Sequence, residues 1–341
     1  MKLYHTDLFV LPLPDGHRFP MQRYRLLRER LEASGQFSAD EICIPPAATN
    51  EQLQRVHTED WIRRVSSGTL LPDELRKIGF PWSLQMVERC RRSTGATIAA
   101  SRSALEDGVS ANLAGGTHHA FADRGAGYCV FNDVAVAARN MQSEKHIQQA
   151  LILDGDVHQG DGTAKIFADD PTVRTFSLHA AKAFPARKMK SDLDIELPPG
   201  TADEDYLSAW KTGIDRSTEN FLPDIIYFLA GADPFVGDTL GGLAISKAGL
   251  RRRDDLVFEL CRRLQRPLVM VMAGGYASNI DDIVDIQFYS VTSSRQLEWN
   301  RSETTDSSRF PIASVGPQRS DAAPLLRSHE VSGRRFDHED R

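Results

Sequence analysis

The sequence lacks the features that would direct it to a membrane, an oxidising compartment or nucleic acid. No apolar run approaches the roughly 20 residues that a transmembrane helix needs, and no dense basic stretch accompanies the formal net charge of −6. Its four cysteines lie far apart and form no CxxC pair, and the opening "MKLYHTDLF" lacks the apolar core of a signal peptide. These absences predict a soluble, cytoplasmic protein without direct nucleic-acid binding, and they leave its oligomeric state open.

A linker is also absent from most of the chain. No stretch rich in Pro, Gly or Ser interrupts the first 290 of the 341 residues, and 41% of the chain is hydrophobic. A single core of this size is common among large α/β domains. From about Val291 the sequence becomes rich in Ser, Arg and Asp and loses apolar periodicity. We therefore predict one folded domain over residues 1–290 and a polar, flexible tail over residues 291–341.

Apolar patterning predicts an α/β fold with a mostly parallel central sheet flanked by helices. Four short apolar runs are typical of buried strands: "QALILD", "TVRTFSLH", "DIIYFLAGAD" and "PLVMVMAGGY". Apolar residues spaced three and four apart predict helices over residues 23–33, 83–105, 133–141 and 246–264. Each strand run ends in polar or glycine-rich sequence. Ligand sites gather beyond the carboxyl ends of parallel strands, so we expect the functional site there.

The segment "LILDGDVHQGDG", residues 151–162, ends one of these strands in an unusual way. Asp154, Asp156 and His158 alternate along it and should lie on one face of the extended chain. Burying carboxylates without a partner is costly, so a bound cation is the simplest compensation. The alternative is a strand-to-loop junction with solvated turn aspartates.

Further polar residues support the cation interpretation. Asp233 ends the run "LAGAD", and with Asp156 and His158 it provides two carboxylates and one imidazole. That set suits Zn²⁺ with one position open for water. The adjacent His118 and His119 could supply a base for such a water molecule.

Other residues are suited to orient these groups. Asp154 and Asp161 flank the proposed ligands and could each accept an imidazole N–H, which would set the tautomer of a histidine. Tyr276 follows Gly274 and Gly275 at the end of the fourth strand run. Glycines permit the turns that would direct its phenol into the site. The alternative for Tyr276 is a half-buried side chain that only packs.

Six motifs in this order resemble the zinc-dependent histone deacetylase superfamily over most of residues 1–290: "GGTHHA", "GYCVFND", "DGDVHQGDGT", "SLH", "GAD" and "GGY". The stretches "LPDGHRFPMQRYRLLRERL", "IGFPWS" and "FPARKMKSDLDIELPPGT" are similar to bacterial members grouped with class IV deacetylases. The resemblance implies a single-domain arginase-deacetylase fold, with residues 1–290 as the catalytic domain. It also implies hydrolysis of the acyl amide on a lysine side chain of a protein.

The resemblance assigns ions to the strand ends. Zn²⁺ would be bound by Asp156, His158 and Asp233. Family members also bind K⁺ beside the zinc through carbonyls and side chains, and the matching residues here are Asp154, Asp156, His158, Ser177 and Leu178.

The same resemblance assigns the catalytic groups and the channel. His119 would be the general base and acid, His118 its electrostatic partner, and Tyr276 a hydrogen-bond donor to the substrate carbonyl oxygen. The acyl-lysine channel would be formed by Gly127, Tyr128 and Phe184. Tyr128 stands where the family commonly has phenylalanine, so the channel wall gains a hydroxyl.

Several alternatives stay open at this point. An acetylpolyamine amidohydrolase or another small-molecule deacetylase would use the same chemistry, and an inactive acyl-lysine binding protein would keep the site without turnover. A two-metal arginase-type enzyme would need carboxylates where Gly160 and Phe235 stand. "GDVHQG" resembles a metallophosphoesterase motif, but the Gly-Asn-His-Glu-like segment of that class is missing.

Overall fold

Eight parallel strands form one sheet in the computed structural model, which describes residues 1–299. The strands, in chain order, are β1 (Lys2–Tyr4), β2 (Ile42–Cys43), β3 (Val109–Asn112), β4 (Ala150–Asp154), β5 (Val173–Ala180), β6 (Leu193–Leu197), β7 (Ile225–Leu229) and β8 (Leu268–Val271). Their order across the sheet is β2-β1-β3-β8-β7-β4-β5-β6. The predicted α/β class and parallel sheet are confirmed.

Ten α-helices cover the sheet in the described part of the chain. They are α1 (Arg23–Ala33), α2 (Asn50–Gln54), α3 (Glu59–Ser67), α4 (Pro72–Ile78), α5 (Leu84–Asp107), α6 (Asp133–Ser143), α7 (Asp161–Ile166), α8 (Asp203–Thr218), α9 (Lys247–Leu264) and α10 (Ile280–Ser294). Ser83 and Ser246 accept a hydrogen bond from the first turn of α5 and α9, so both helices begin at the residues where the pattern predicts them. Within residues 1–299 no helix is long and apolar enough to cross a membrane.

The core has two halves, one on each face of the sheet. Leu151 and Leu153 of β4 join the apolar cluster that includes α1, α8, α9 and α10. Ala150 and Ile152 of the same strand join the cluster that includes α3, α5 and α6. Since neighbouring strand residues point to opposite faces, a continuous apolar run is what a strand buried on both faces requires.

The predicted start of the polar tail, at residue 291, is too early. Helix α10 continues to Ser294 and a 3₁₀ turn follows over Arg295–Leu297. Val291 is fully buried, and the Trp299 amide donates to the Asp107 carbonyl at 2.9 Å. Residues 291–299 therefore pack on the core despite their polar composition. The rest of the predicted tail, residues 300–341, lies outside the described residues.

Candidate active site

Three neighbouring strands bring the candidate residues to one edge of the sheet. Strand β7 lies between β4 and β8, and Asp154, Leu229 and Val271 are in register across them. Because the three strands are parallel and their last residues are in register, the segments that follow them lie close together. These segments carry Asp156 and His158 after β4, Asp233 after β7, and the Gly-Gly-Tyr sequence after β8.

Asp156, His158 and Asp233 converge in a buried cluster. Each offers one ligand atom, and these atoms lie within 4.8 Å of one another. Asp233 Oδ2 has no hydrogen-bond partner in the described structure and lies 3.3 Å from His158 Nδ1. Burial and the Asp156 carboxylate raise the pKa of Asp233 to about 7. Two buried carboxylates with an unpartnered oxygen are expected where a cation supplies the missing charge.

Glycine is required beside this cluster. A Cβ atom at Gly274 would lie 1.9 Å from Asp233 Oδ2 and 2.6 Å from Asp156 Oδ2. The Gly274 amide instead donates to Asp156 Oδ2 at 2.7 Å, which orients that carboxylate. The close approach of backbone and carboxylates explains the glycine in this position.

The geometry also bears on the two-metal alternative. A Cβ at Gly160 would lie 2.4 Å from Asp154 Oδ2, so this position has no room for the carboxylate that a second ion needs. Phe235, at the other required position, packs against the hydrophobic core. Among residues 1–299 the one cluster with metal-ligand spacing is the three-residue set. The described residues therefore offer no second carboxylate set of the kind that a two-metal arginase-type site needs.

Both histidines of the pair are buried and each contacts its own aspartate. His118 Nδ1 lies 2.7 Å from Asp154 Oδ2, and His119 Nδ1 lies 2.7 Å from Asp161 Oδ1. Asp161 is the first residue of α7, directly after the β4 loop. The structure thus brings each aspartate to a histidine, and the roles assigned to Asp154 and Asp161 stay predictions. In each histidine the contact with the aspartate is made by Nδ1, so Nε2 is the ring nitrogen available for other contacts.

The two histidines have opposite pKa shifts. Burial alone would lower the pKa of His118, but the carboxylates of Asp154 and Asp156 outweigh burial and raise it to about 9. Burial, together with the neighbouring His118 cation, lowers the pKa of His119 to about 4, although the Asp161 carboxylate opposes this shift. At neutral pH His119 is therefore the unprotonated member of the pair.

A cavity of about 290 Å³ leads from the surface to this cluster. Its wall contains Gly127, Tyr128 and Phe184, the three residues of the predicted channel, and Tyr276. The Phe184 ring is 46% exposed and its centroid lies 4.7 Å from that of His119, nearly perpendicular to it. Tyr128 faces Tyr276 with ring centroids 6.0 Å apart. The cavity thus has aromatic sides near its mouth and polar groups at its floor.

The channel wall depends on unusual backbone geometry at Gly127 and Tyr128. Their φ angles are +51° and +66°, in the left-handed region that most side chains avoid. Their amides donate to the carbonyls of Lys77 and Ile78 at 2.9 and 2.7 Å, at the end of α4. A Cβ at Gly127 would lie 2.7 Å from the His119 ring. This strained turn holds the tyrosine ring against the cavity.

A model of the histone deacetylase domain matches residues 17–287 of the chain. The chain belongs to the histone deacetylase family. It is an amide-hydrolysing deacetylase with the arginase-deacetylase fold, and members of this family are generally metal-dependent.

Relatives from bacteria and plants agree with this family membership. An uncharacterized protein of Picosynechococcus sp. is 44% identical over 83% of this chain and 94% of its own length. The acetoin utilization protein AcuC of Bacillus subtilis is 32% identical over 71% of this chain and 67% of its length. Histone deacetylase 2 of Arabidopsis thaliana is 29% identical over 79% of this chain and 72% of its length.

Solved structures of the family have the same fold. A histone deacetylase homologue complexed with SAHA superimposes with a TM-score of 0.77 at 26% identity, covering 87% of this chain and 84% of that chain. A homologue from Aquifex aeolicus gives a TM-score of 0.76 at 25% identity, covering 86% of this chain and 84% of the other.

Arg23 and Asp238 hold the Gly-Gly-Tyr turn of this deacetylase in place, and neither residue is predicted from the sequence. Arg23 is buried, and its guanidinium donates to the carbonyls of Ala273 at 2.7 Å and Gly275 at 3.0 Å. Asp238 Oδ2 accepts the Tyr276 amide at 2.5 Å. The available signal for Arg23 is its position: it shares the buried face of α1 with Leu27, four residues later. A cation on the apolar face of a helix needs a buried partner.

Two of the predicted K⁺ residues, Ser177 and Leu178, lie within β5 beside the end of β4. Asp154 and Ser177 are paired in register, and Leu178 is buried next to Ser177. The Ser177 hydroxyl is hydrogen-bonded to His179 Nδ1 at 3.0 Å. Asp154 is already engaged with His118 and with the Asp156 amide. Occupation of this position by K⁺ stays a prediction.

Proposed function

We propose that this protein is a zinc-dependent deacylase that removes acetyl or other acyl groups from lysine side chains of proteins. The observation that carries the proposal is the buried Asp156, His158 and Asp233 cluster at the floor of a narrow cavity, with His119 and Tyr276 lining the same cavity. Side chains that can bind a metal ion, a base and a hydrogen-bond donor around one cavity are the groups that amide hydrolysis needs.

Zinc fits the cluster by charge and ligand type. Two carboxylates formally balance a divalent cation, imidazole nitrogen and carboxylate oxygen are both zinc ligands, and three protein ligands leave one position open for water. Asp233 Oδ2 makes no hydrogen bond in the described structure, and its neighbour His158 Nδ1 at 3.3 Å belongs to the same ligand set, so an ion would satisfy both. When bound, zinc would polarise the acyl carbonyl and lower the pKa of a coordinated water molecule to about 7.

His119 is the group suited to hold the proton that the attacking water molecule would lose. Its low pKa keeps it unprotonated at neutral pH, and Asp161 on Nδ1 leaves Nε2 as the basic atom. Once protonated, the same nitrogen can return the proton to the departing amine. His118 lies against it with ring centroids 4.1 Å apart. We assign His118, held by Asp154, to the electrostatic control of His119.

Tyr276 is assigned to the carbonyl oxygen of the substrate. The hydroxyl makes no hydrogen bond to another side chain among residues 1–299, and burial raises the pKa of Tyr276 well above its usual value. A neutral phenol with a free hydroxyl can donate to the negative charge that develops on the carbonyl oxygen. Tyr128 and Phe184 would hold the aliphatic part of an acyl-lysine between their rings.

The experiment that tests the proposal is turnover of a substrate panel by purified, zinc-loaded protein. We expect release of acetate or a longer carboxylate from acyl-lysine peptides, with loss of turnover after metal removal and recovery on adding Zn²⁺. Turnover of acetylpolyamines without any peptide turnover would favour a small-molecule deacetylase instead. Peptide binding without turnover of any substrate would favour the inactive binding protein.

K⁺ occupancy is tested separately. If Asp154, Ser177 and the neighbouring carbonyls hold K⁺, the thermal midpoint should rise with KCl more than with an equal concentration of choline chloride. Equal effects of the two salts would contradict the assignment.

A further inference from the structure

The mouth of the cavity is positively charged although the protein as a whole has a formal net charge of −6. Arg76 and Lys77 line the cavity, and their side chains are 74% and 65% exposed. Asp156 is the sole carboxylate on the described cavity wall, and it belongs to the metal cluster at the floor. The outer part of the wall therefore has cations and no anion.

These two cations are held close to the channel. The backbone carbonyl of Lys77 accepts the Gly127 amide, and that of Ile78 accepts the Tyr128 amide. The end of α4 is thus joined directly to the channel wall. A group that projects from the channel would pass within reach of both flexible cationic side chains.

A second positively charged segment reaches the cavity through Phe184, which is the residue of 181–190 on the described cavity wall. Residues 181–190 carry Phe184 and contain four cations but no carboxylate. Lys188 donates to the carbonyls of Ala183 and Pro185, which gives it a role inside the loop. The other three cations, Lys182, Arg187 and Lys190, are exposed.

Stabilisation of α4 explains only part of the positive charge at the cavity mouth. Arg76 and Lys77 lie in the last turn of α4, where cations favourably oppose the helix dipole, and both pair with Asp73. One carboxylate shared by two cations leaves a net positive charge. Capping of α4 also gives no reason for the exposed cations of residues 181–190, which belong to a loop.

We propose that this mouth selects acyl-lysines whose neighbouring residues are acidic. The inference rests on the proposed function, because it concerns what lies beside the acyl amine in the same cavity. Opposite charges at an entrance concentrate a substrate and favour its binding, whereas like charges oppose it. Basic peptide sequences and polyamine chains, which are cationic next to the acyl group, are disfavoured substrates.

The test compares three acetyl-lysine peptides of equal length with acidic, neutral and basic flanking residues. We expect kcat/KM to be highest for the acidic peptide and lowest for the basic one, at low ionic strength. Since each exposed charge pair changes an affinity by about 1.5- to 5-fold, the Arg76→Glu/Lys77→Glu double variant should lower the acidic-to-basic ratio by about tenfold or more. Added salt should reduce the ratio in the parent protein.

Arg252→Glu is the matched control. Arg252 is an exposed helix arginine that pairs with Glu204, and it lies on α9 outside the cavity wall. This variant should keep the parent ratio, and thermal unfolding should show that all variants are folded.

The outcomes separate this inference from the proposed function. Turnover of all three peptides with equal rates, or with a preference for the basic peptide, overturns the charge inference and leaves the deacylase assignment in place. A ratio that falls equally in the Arg252→Glu control also overturns it, because the effect is then not local to the mouth. Absence of turnover for every peptide overturns the proposed function and the inference together.

Discussion

Two histidine–aspartate pairs lie next to each other in this site, and they differ in what surrounds them. His118–Asp154 and His119–Asp161 have the same 2.7 Å contact on Nδ1. His118 also has the Asp156 carboxylate 3.8 Å from Nε2, whereas His119 meets the His118 ring and the Phe184 ring. The pKa of one rises and that of the other falls. The groups around each histidine–aspartate pair, and not the aspartate within it, therefore decide which histidine can act as a base.

Replacing Asp156 should reduce activity more than the other substitutions. Asp156 belongs to the candidate metal-ligand set, and its carboxylate also lies 3.8 Å from His118 Nε2. Asp156→Asn should lose bound zinc and lower kcat/KM by more than about 100-fold, beyond the usual cost of losing an outer partner of a metal ligand. Metal analysis and turnover measure the two losses. Exposed Asp15→Asn is the control. Two tightly bound ions per parent chain, both needed for activity, would instead support the arginase-like alternative.

Replacing each histidine by asparagine tests the comparison directly, because asparagine can still donate to the aspartate. His119→Asn should lower kcat by about 10²- to 10⁴-fold, the range for loss of a general base. His118→Asn should cost less. Equal losses of kcat in the two variants would contradict the assigned roles, and a larger loss in His118→Asn would reverse them.

The pH profile of His118→Asn gives a second readout. Without the His118 cation the pKa of His119 should rise, since that cation is one of the causes that lower it. The base is then protonated at a higher pH, so the acidic limb of kcat/KM should move to higher pH. A profile that does not move would show that His118 has no charge effect on His119.

Tyr276→Phe removes one hydroxyl that lines the same cavity but is hydrogen-bonded to neither pair. The fold and bound zinc should be kept, and kcat should fall by about 10²- to 10³-fold, the cost of losing one donor to a developing oxyanion. KM should change less, because the ground-state carbonyl is the weaker acceptor. A zinc-loaded variant with kcat within about threefold of the parent would contradict the assignment, since that is under ~1 kcal/mol.

Asp161→Asn weakens the orientation of His119 without removing the base. We expect a loss of about 10- to 100-fold in kcat, comparable with other groups that orient a catalytic imidazole, with zinc content unchanged. Asp123 is an exposed carboxylate four residues after His119 in the chain, and Asp123→Asn should have no effect on either quantity. Loss of zinc in Asp161→Asn would mean that Asp161 supports the metal site instead.

Truncation after residue 299 should have the smallest effect. Both histidine pairs lie earlier in the chain, so zinc content, turnover and thermal stability should match the full-length protein. Truncation after residue 290 is the contrasting variant: it removes the buried Val291 and Leu297 and should cost about 3 kcal/mol or more of unfolding free energy. Equal stability of the two truncations would show that residues 291–299 contribute no packing.

Strands with continuous apolar sequence were predictable, and the short ones were not. The runs that form β4, β7 and β8 are almost entirely apolar because both of their faces are buried, whereas β5 also contains Arg174, Ser177 and His179. Strand β2 has two residues and β3 has the sequence "VSAN", so neither has a pattern of its own. Both exist because a neighbouring strand supplies hydrogen-bond partners. The end of α10 was missed for a related reason: Ser290 and Ser294 are buried in tertiary packing.

The sequence by itself determined the chemical groups and the edge of the sheet to which they belong. The apolar run of β4 ends at Asp154 and brings Asp156 and His158 to this edge, although residues 156–158 form a bend and not the extended segment that alternation predicts. The order of the other apolar runs brings Asp233 and Tyr276 to the same edge. Only the tertiary structure decided how each group behaves. Whether a histidine is a cation or a base, and whether an arginine lies buried beneath a turn, depends on neighbours that are distant in the chain. Burial and charge at a few ångströms set these properties, and sequence spacing does not specify such distances.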